Sequence, residues 1–480
     1  MLYRPVVLVR VAASVLATLV VVAVSVSDTL AERPSVLFLA VDDLRPEIGC
    51  YGSAKMLTPS IDRLAGRGVR FDRAYCNIAV CGASRASLMS GLRPTPTRFT
   101  RHDTQVSVDA AGVPTLPATF KAAGYHTVTN GKVYHQKRDD ADAWSEPDWR
   151  EGGPGSWWAL EENRAMVSPT TRGPAYESAD KPVSSYPDFR TATKTIEDLR
   201  RLSAGEKPFF IASGFYKPHL PFVTPQEFWS LYPSDAIQLP DNMFFPRNLD
   251  RAFRYNWGEL RKYDAVPSKG PLSTDAARNM LRGYYACVSF TDAQIGRVID
   301  ALDQLDLAES TIVVLWGDHG WQLGEHGFWC KHTNFEVATR VPLVIVAPGV
   351  DGARATTRLV ETVDLYPTLC ELAGLPEPEH LQGRSLLPLL EDTEARHKDA
   401  VYTRYGGGDA VRTERFRYVE QRDRRGVGKL QATALFDLQL DPGENDNVVQ
   451  QPEYAEAVLR LRDQLARARQ SATAGGADWP

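Results

Sequence analysis

Five short apolar runs punctuate the chain: Ser35–Val41, His126–Thr129, Phe209–Gly214, Thr311–Trp316 and Leu343–Ala347. Each is too short for a helix and too continuously apolar for a strand with one wet face. They predict buried, parallel β-strands. Between them lie stretches with helical spacing of apolar residues: Ser60–Gly66, Leu116–Ala123, Thr193–Leu202, Asp275–Leu305 and Asp364–Ala373. Strands alternating with helices imply an α/β fold, with a large, mostly parallel sheet between layers of helices. In such sheets the functional site lies beyond the carboxyl ends of the strands.

Other stretches break this rhythm. Residues Gln136–Asp188 are rich in Trp, Gly, Pro and charge, with Trp144, Trp149, Trp157 and Trp158 among them. They show no clean periodicity and read as a long loop near the site, either a substrate-contacting wall or a self-packed surface loop. From about Arg396 short strand-like pieces follow one another: Ala400–Tyr405, Ala410–Thr413, Phe416–Val419 and Ala434–Asp437. After the turn Asp441–Glu444 comes an amphipathic helix, Glu453–Arg469, with Ser471–Pro480 expected to fray. This predicts a smaller C-terminal α+β subdomain at 396–480 behind a main domain at 32–395. At the other end, Arg4 and Arg10 precede an apolar run, Val11–Val26, and small residues Thr29 and Ala31. Residues 1–31 read as a cleaved signal peptide, so a secreted or periplasmic location is expected. No second run is long enough to span a bilayer.

Bulk composition narrows the picture only a little. The 480 residues are 43% hydrophobic and 24% charged with a formal net charge of −5, which gives no support for a nucleic-acid or membrane-surface role. A local basic cleft for an anionic substrate needs no basic protein. The six cysteines form no C-x-x-C pair, which disfavours a zinc ribbon or thioredoxin-like site.

The chemistry collects at the strand exits. Ser35–Val41 runs into Asp42-Asp43, and Thr311–Trp316 into Gly317-Asp318-His319. Adjacent carboxylates repel unless a cation lies between them, and a third from another strand makes a hard-oxygen set suited to Ca²⁺ or Mg²⁺. Alone, Asp42-Asp43 is also what caps a turn. Cys81 opens a predicted helix with Arg85 four residues on, where the helix end favours an anion. By base rate a lone cysteine there is usually a buried hydrophobe. Lys132 and His135 follow one strand, Lys217 and His219 another, and Lys331 lies beyond a third. Together they form a basic group able to grip an anionic tetrahedral centre and protonate a leaving oxygen.

Cys81-Gly82-Ala83-Ser84-Arg85 resembles the sulfatase signature C-x-[P/A]-S-R. The segments Asp42–Pro46 with Gly49–Gly52, Gly131–His135, Tyr216–Phe222, Gly317–Pro342 and Leu435–Glu444 resemble other motifs of that family, in particular its iduronate-2-sulfatase branch. The resemblance spans roughly Pro34–Val449. It implies an alkaline-phosphatase-like fold and a Cys81 oxidised to formylglycine by a formylglycine-generating enzyme. It further implies a divalent cation, usually Ca²⁺ with Mg²⁺ as the alternative, held by Asp42, Asp43, modified Cys81, Asp318 and His319. By position, Arg85 and Lys132 would hold the aldehyde hydrate, His219 would protonate the leaving alcohol, Lys331 would bridge sulfate and leaving oxygen, and His135 would take up a proton as sulfate departs. The substrate implied is a sulfated carbohydrate, with the 2-O-sulfate of iduronate or a related uronic acid favoured. Another sulfated sugar, a phosphodiester or phosphonate substrate, and a non-catalytic glycan-binding role are the alternatives. Ala83 stands where the signature more often has Pro, and His319 where many members have Asn.

Overall fold

The strand Ser35–Val41 lies at the heart of the molecule because both its faces are apolar, and residues 36–41 have no exposed surface. In the computed structural model it pairs in parallel with Phe209–Phe215 on one side and Thr311–Gly317 on the other. His126–Gly131 adds a further parallel strand beyond Phe209–Phe215. The eight-stranded sheet is completed by Leu343–Val346, Val69–Tyr75, Arg340–Val341 and Arg354–Glu361. The structure describes Met1 and residues 33–151, 157–423 and 426–474; the body of the signal peptide read over 1–31 therefore lies outside the described residues.

Successive residues of a strand point to opposite faces, and the two cores follow this period. Leu37, Leu39, Val41, Ile211, Phe215, Val313 and Leu315 pack under the helices Pro59–Ala65, Pro187–Ser203 and Thr274–Gln304. Val36, Phe38, Ala40, Phe210, Ala212, Val314 and Trp316 pack under Cys81–Ser90, Leu116–Ala122 and Leu365–Leu372. The sheet is thus covered on both faces.

The expected parallel direction of the fifth run needs correcting. Leu343–Val346 lies antiparallel to both Thr311–Gly317 and Val69–Tyr75. Together with its continuation Arg340–Val341, it runs against the rest of a mostly parallel sheet. The stretch 136–188 is not wholly loop either. It contains the helix Glu161–Ala165 and the strand Tyr176–Ala179, which pairs with Phe222–Pro225.

The C-terminal part is an antiparallel sheet in the order Ala400–Tyr405, Gly408–Thr413, Phe416–Gln421, Ala432–Asp437. One of its faces, with Tyr402, Val411, Tyr418 and Leu435, packs on Leu461, Leu465 and Ala468 of the helix Ala455–Ala474. That helix runs on through Ser471–Ala474, where fraying was expected, because Ala472 is buried and its carbonyl accepts from Arg98 at 2.9 Å. Residues 475–480 lie outside the described residues. No helix among the described residues is long and apolar enough to cross a membrane.

Candidate active site

Strand register brings the chemistry to one row. Val41 is aligned with both Phe215 and Gly317, so Asp42, Tyr216 and Asp318 leave the sheet side by side. Gly131 is aligned with Gly214, which puts Lys132 beside them. At Gly131 (φ +72°) a Cβ would lie 2.2 Å from the Gly214 carbonyl oxygen, so only glycine lets the chain turn in this tightly.

The helix Cys81–Ser90 enters from the other direction and is buried along its whole length. Ser84 ties it to the sheet by donating to the Asp318 carbonyl at 2.6 Å. Gly82 permits the residue 101–102 segment to cross its first turn, since a Cβ there would lie 2.1 Å from the His102 carbonyl oxygen. Arg85 has no exposed surface. It donates to Asp318 Oδ2 at 2.9 Å, to Asp42 Oδ1 at 3.2 Å and to the carbonyls of Lys132 and Val133. Arg85 therefore fixes the carboxylates and the Lys132 strand exit.

Asp42, Cys81, Asp318 and His319 present ligand atoms within 4.8 Å of one another, as do Asp42, Asp43, Cys81 and His219. Cys81 is unmodified here, and its Sγ occupies the place of the oxygen that formylglycine would carry. It lies 3.1 Å from His319 Nε2 and 3.9 Å from Asp43 Oδ1. Burial, reinforced by Asp42, pushes the thiol up to about 11, so as cysteine it is a neutral, weak nucleophile.

The donor set fits a hard divalent cation. Burial and the neighbouring Asp42 push Asp43 up to about 7 despite Lys331. Burial also acts on Asp42, but Lys132, His219 and Arg85 hold it well below the usual carboxylate range. His319 Nδ1 is 3.0 Å from the Gly320 carbonyl, which only accepts; in the neutral ring Nε2 therefore turns its lone pair toward Asp43 Oδ1 at 3.4 Å and Asp318 Oδ1 at 3.7 Å. Lone pairs and carboxylates converging in a buried site call for a positive charge between them.

The basic group splits. Lys132 is hydrogen-bonded to Asp42. Lys331 Nζ lies 3.3 Å from Asp43 Oδ1 and 2.8 Å from Glu259 Oε2. His135 lines the same cavity, of about 990 Å³, with Cys81, Lys132, His219 and Lys331. Burial, with help from Lys132, pushes His135 down to about 2, so it is neutral, and its Nδ1 has no partner. Lys217 does not join them. Its Nζ donates to the carbonyls of His219 (3.0 Å) and Pro221 (2.5 Å), bracing the turn that carries His219.

One residue of the site has no counterpart in the sequence reading. Glu259 sits 3.0 Å from His219 Nε2 and bridges it to Lys331. Burial acts against its charge, yet Lys331 and His219 hold it well below the usual range. The other ring nitrogen of His219 faces the Leu220 carbonyl. Both neighbours accept, so a proton on either ring nitrogen of His219 has a partner. The stretch around residue 259 has no periodicity or motif, and nothing in it signals that Glu259 reaches Lys331.

The family model Sulfatase matches residues 34–375, and N-sulphoglucosamine sulphohydrolase, C-terminal, matches 324–471. The chain belongs to the sulfatase family. It is a sulfuric ester hydrolase with an alkaline-phosphatase-like fold. Iduronate 2-sulfatase of Mus musculus is 36% identical over 390 residues, covering 72% of this chain and 69% of the mouse protein. Among solved structures, the phosphonate monoester hydrolase of Agrobacterium radiobacter superposes with a TM-score of 0.76 at 22% identity, covering 92% of this chain and 96% of that one. A 2-O GAG sulfatase superposes with a TM-score of 0.68 at 24% identity, covering 92% and 93%. These two likenesses speak for the fold. The sulfatase assignment rests on the family match and on the iduronate 2-sulfatase relative. In this sulfatase, the signature residues Cys81, Ser84 and Arg85 all lie at the point where the four strand ends meet.

Proposed function

We propose that this sulfatase removes sulfate from a carbohydrate, the 2-O-sulfate of iduronate or a related uronic acid, using formylglycine made from Cys81 and a bound divalent cation. The convergence of Cys81, a carboxylate cluster and a cationic wall on one buried point carries the reading. Similarity to iduronate 2-sulfatase supports the sugar class.

Asp42, Asp43, Asp318 and His319, with the oxidised Cys81 side chain, would hold the cation, Ca²⁺ or Mg²⁺. When bound, the cation polarises a sulfate oxygen, and hydrated formylglycine supplies the oxygen nucleophile. Lys331 neutralises the sulfate and stabilises charge on the leaving oxygen. His219, held between Glu259 and the Leu220 carbonyl, donates a proton to the leaving alcohol. His135 lines the cavity with a ring nitrogen that has no partner, which places it to accept the proton released when sulfate leaves. Arg85 and Lys132 hold Asp42 in its charged form.

Two measurements test this. Peptide mass analysis of active enzyme should find Cys81 with its thiol replaced by carbonyl. Cys81→Ser should leave almost no turnover of an aryl sulfate, and substantial residual activity would overturn the covalent role. Parallel assays on an aryl phosphodiester and a panel of defined sulfated saccharides separate the phosphodiester and other-sugar alternatives. They also support or remove the uronate reading.

A further inference from the structure

The first part of the long stretch 136–188 adds an edge to the main sheet. Ser145 N donates to the Thr127 carbonyl at 2.8 Å and Trp149 N to the Thr129 carbonyl at 3.2 Å, while Gly131 N donates back to the Trp149 carbonyl at 2.9 Å. Residues 145–149 therefore run beside the strand His126–Gly131, which ends the sheet on that side. This fixes where Arg150 emerges: on the wall of the catalytic cavity, beside the strand exit that carries Lys132 and His135.

Arg150 turns its donors on two strand exits at once. Nη1 donates to the His135 carbonyl at 2.9 Å and to the Tyr134 carbonyl at 3.2 Å, and Nε donates to the Tyr216 hydroxyl at 2.8 Å. Tyr216 is the first residue past Phe209–Phe215 and opens the turn that reaches His219. One guanidinium thus joins the exit with the proposed proton acceptor to the exit with the proposed proton donor. Asp188, at the far end of the same stretch, completes the clamp: its carboxylate accepts from Tyr216 N and Lys217 N, both at 2.8 Å. Arginine suits this place because its planar fork presents several donors in fixed directions, which an ammonium cannot do.

His135 needs such a brace. Its Nδ1 has no partner, and its ring meets the His102 ring edge-on, with centroids 6.0 Å apart. An edge contact leaves the ring's placement to the backbone beneath it, and the carbonyl of that backbone is what Arg150 holds. We propose that Arg150 is a positioning residue for sulfate release, keeping His135 where it takes up the proton. In that step His135 accepts a hydroxyl proton as a carbonyl forms and the carbon–oxygen bond to sulfate breaks, its electron pair leaving on sulfate. The inference rests on the His135 role proposed above and goes beyond it: the stretch 136–188 becomes part of catalysis through a residue that acts on His135.

The test uses the full-length enzyme and a nitrophenyl sulfate. Arg150→Met should lower kcat about 10–100-fold with KM within about twofold of wild type, the scale expected when a catalytic group is misplaced by about 1 Å. His135→Ala should be slow as well, and the double variant no slower than His135→Ala alone, because Arg150 then has nothing left to position. A merely structural role would instead add its loss to that of His135→Ala. Reaction of His135 with diethyl pyrocarbonate, followed by peptide mass in protein that also carries Cys81→Ser, should be several-fold faster with Arg150→Met. Should the Met variant fail to fold, Arg150→Lys is read in its place, with a smaller loss of the same pattern. A near-normal kcat in Arg150→Met beside a slow His135→Ala, additive losses, or an unchanged rate of His135 modification overturns this proposal alone. A near-normal kcat in His135→Ala overturns the His135 role, and the role of Arg150 with it.

Discussion

Glu259 lies against His219 and Lys331, on the side of the site where the proposed mechanism gives up a proton. A carboxylate facing an anionic substrate looks misplaced, but this one is already matched by His219 at 3.0 Å and Lys331 at 2.8 Å. It offers His219 Nε2 an acceptor and holds the ring in one orientation, which the proposed proton transfer requires. Glu259→Gln should therefore lower kcat about 10–100-fold with little change in KM, the scale of impaired proton transfer. Glu259→Asp should recover part of the loss; a Gln variant with near-normal kcat would show that Glu259 has no such role. Single residues also mark the limit of the sequence. Asp42-Asp43 and Asp318-His319 were legible because each pair stands at the exit of an apolar run. Lys217 and Lys331 look alike on paper, each following an aromatic or cysteine and preceding a proline or histidine. One braces backbone carbonyls and the other faces the cavity, because the direction of a long side chain is decided by a fold that the local sequence does not encode.

The helix Cys81–Ser90 shows how little slack the supporting elements have. Its first turn is crossed by backbone, so Gly82→Ala would push a methyl group into the His102 carbonyl oxygen at 2.1 Å, where no flexible side chain can give way. Overpacking of this kind costs about 1–3 kcal/mol. A lowered Tm accompanied by a disproportionate loss of kcat/KM is expected, because the shift falls on Cys81; unchanged activity and Tm would refute the tight crossing. Behind the same helix lies a buried ion network. Arg93 and Lys398 pair with Glu361 at 2.6 and 2.5 Å, and Lys398 with Asp364 at 2.5 Å. Burial works against the Glu361 charge, but Arg93 and Lys398 hold it down at about 2, and Asp364 is lowered as well. A carboxyl depressed in the folded state stabilises above its unfolded pKa and loses that stabilisation as pH falls through its folded one. Stability should thus drop between about pH 4.5 and 2. Lys398→Met should cost about 3–5 kcal/mol at pH 7, the penalty for breaking a buried pair, and should flatten the acid slope seen in denaturant titrations at several pH values. Element positions were largely readable, because the strands are apolar on both faces. Direction was not: burial on both faces makes Leu343–Val346 look the same whether it runs parallel or antiparallel. Val69–Tyr75 escaped notice because Arg70, Asp72 and Arg73 interrupt its apolar positions.

Across the whole molecule, the boundary that composition suggests at residue 396 is crossed by bonds that a separable domain would not have. Asn77, just ahead of the Cys81 helix, accepts from Arg404 N at 2.8 Å through its carbonyl, and its side chain donates to the Tyr402 carbonyl at 2.9 Å. The Tyr402 N–H in turn donates to buried Glu361 at 3.1 Å. Arg417, fully buried on the C-terminal sheet, pairs with Glu336 and Glu444 and donates to the Asn334 carbonyl at 2.8 Å, three residues from Lys331. The last helix reaches back to Arg98 and Gln382 through the Ala472 carbonyl. Cutting the chain at 395 would strip partners from Asn77, Glu361 and Glu336 and bare the apolar main-domain surface around Phe335 that packs on Phe436 of the removed sheet. Buried charges without partners and bare apolar surface are both costly. Residues 34–395 expressed alone should therefore fail to give a soluble, cooperatively melting protein. The full chain should melt in a single transition, with activity lost at the same temperature. Scanning calorimetry of the two forms decides it, and a folded, active 34–395 fragment would show that the C-terminal sheet is an accessory. The expected outcome ties the C-terminal sheet to the position of Lys331, and so makes it part of what holds the active site in shape.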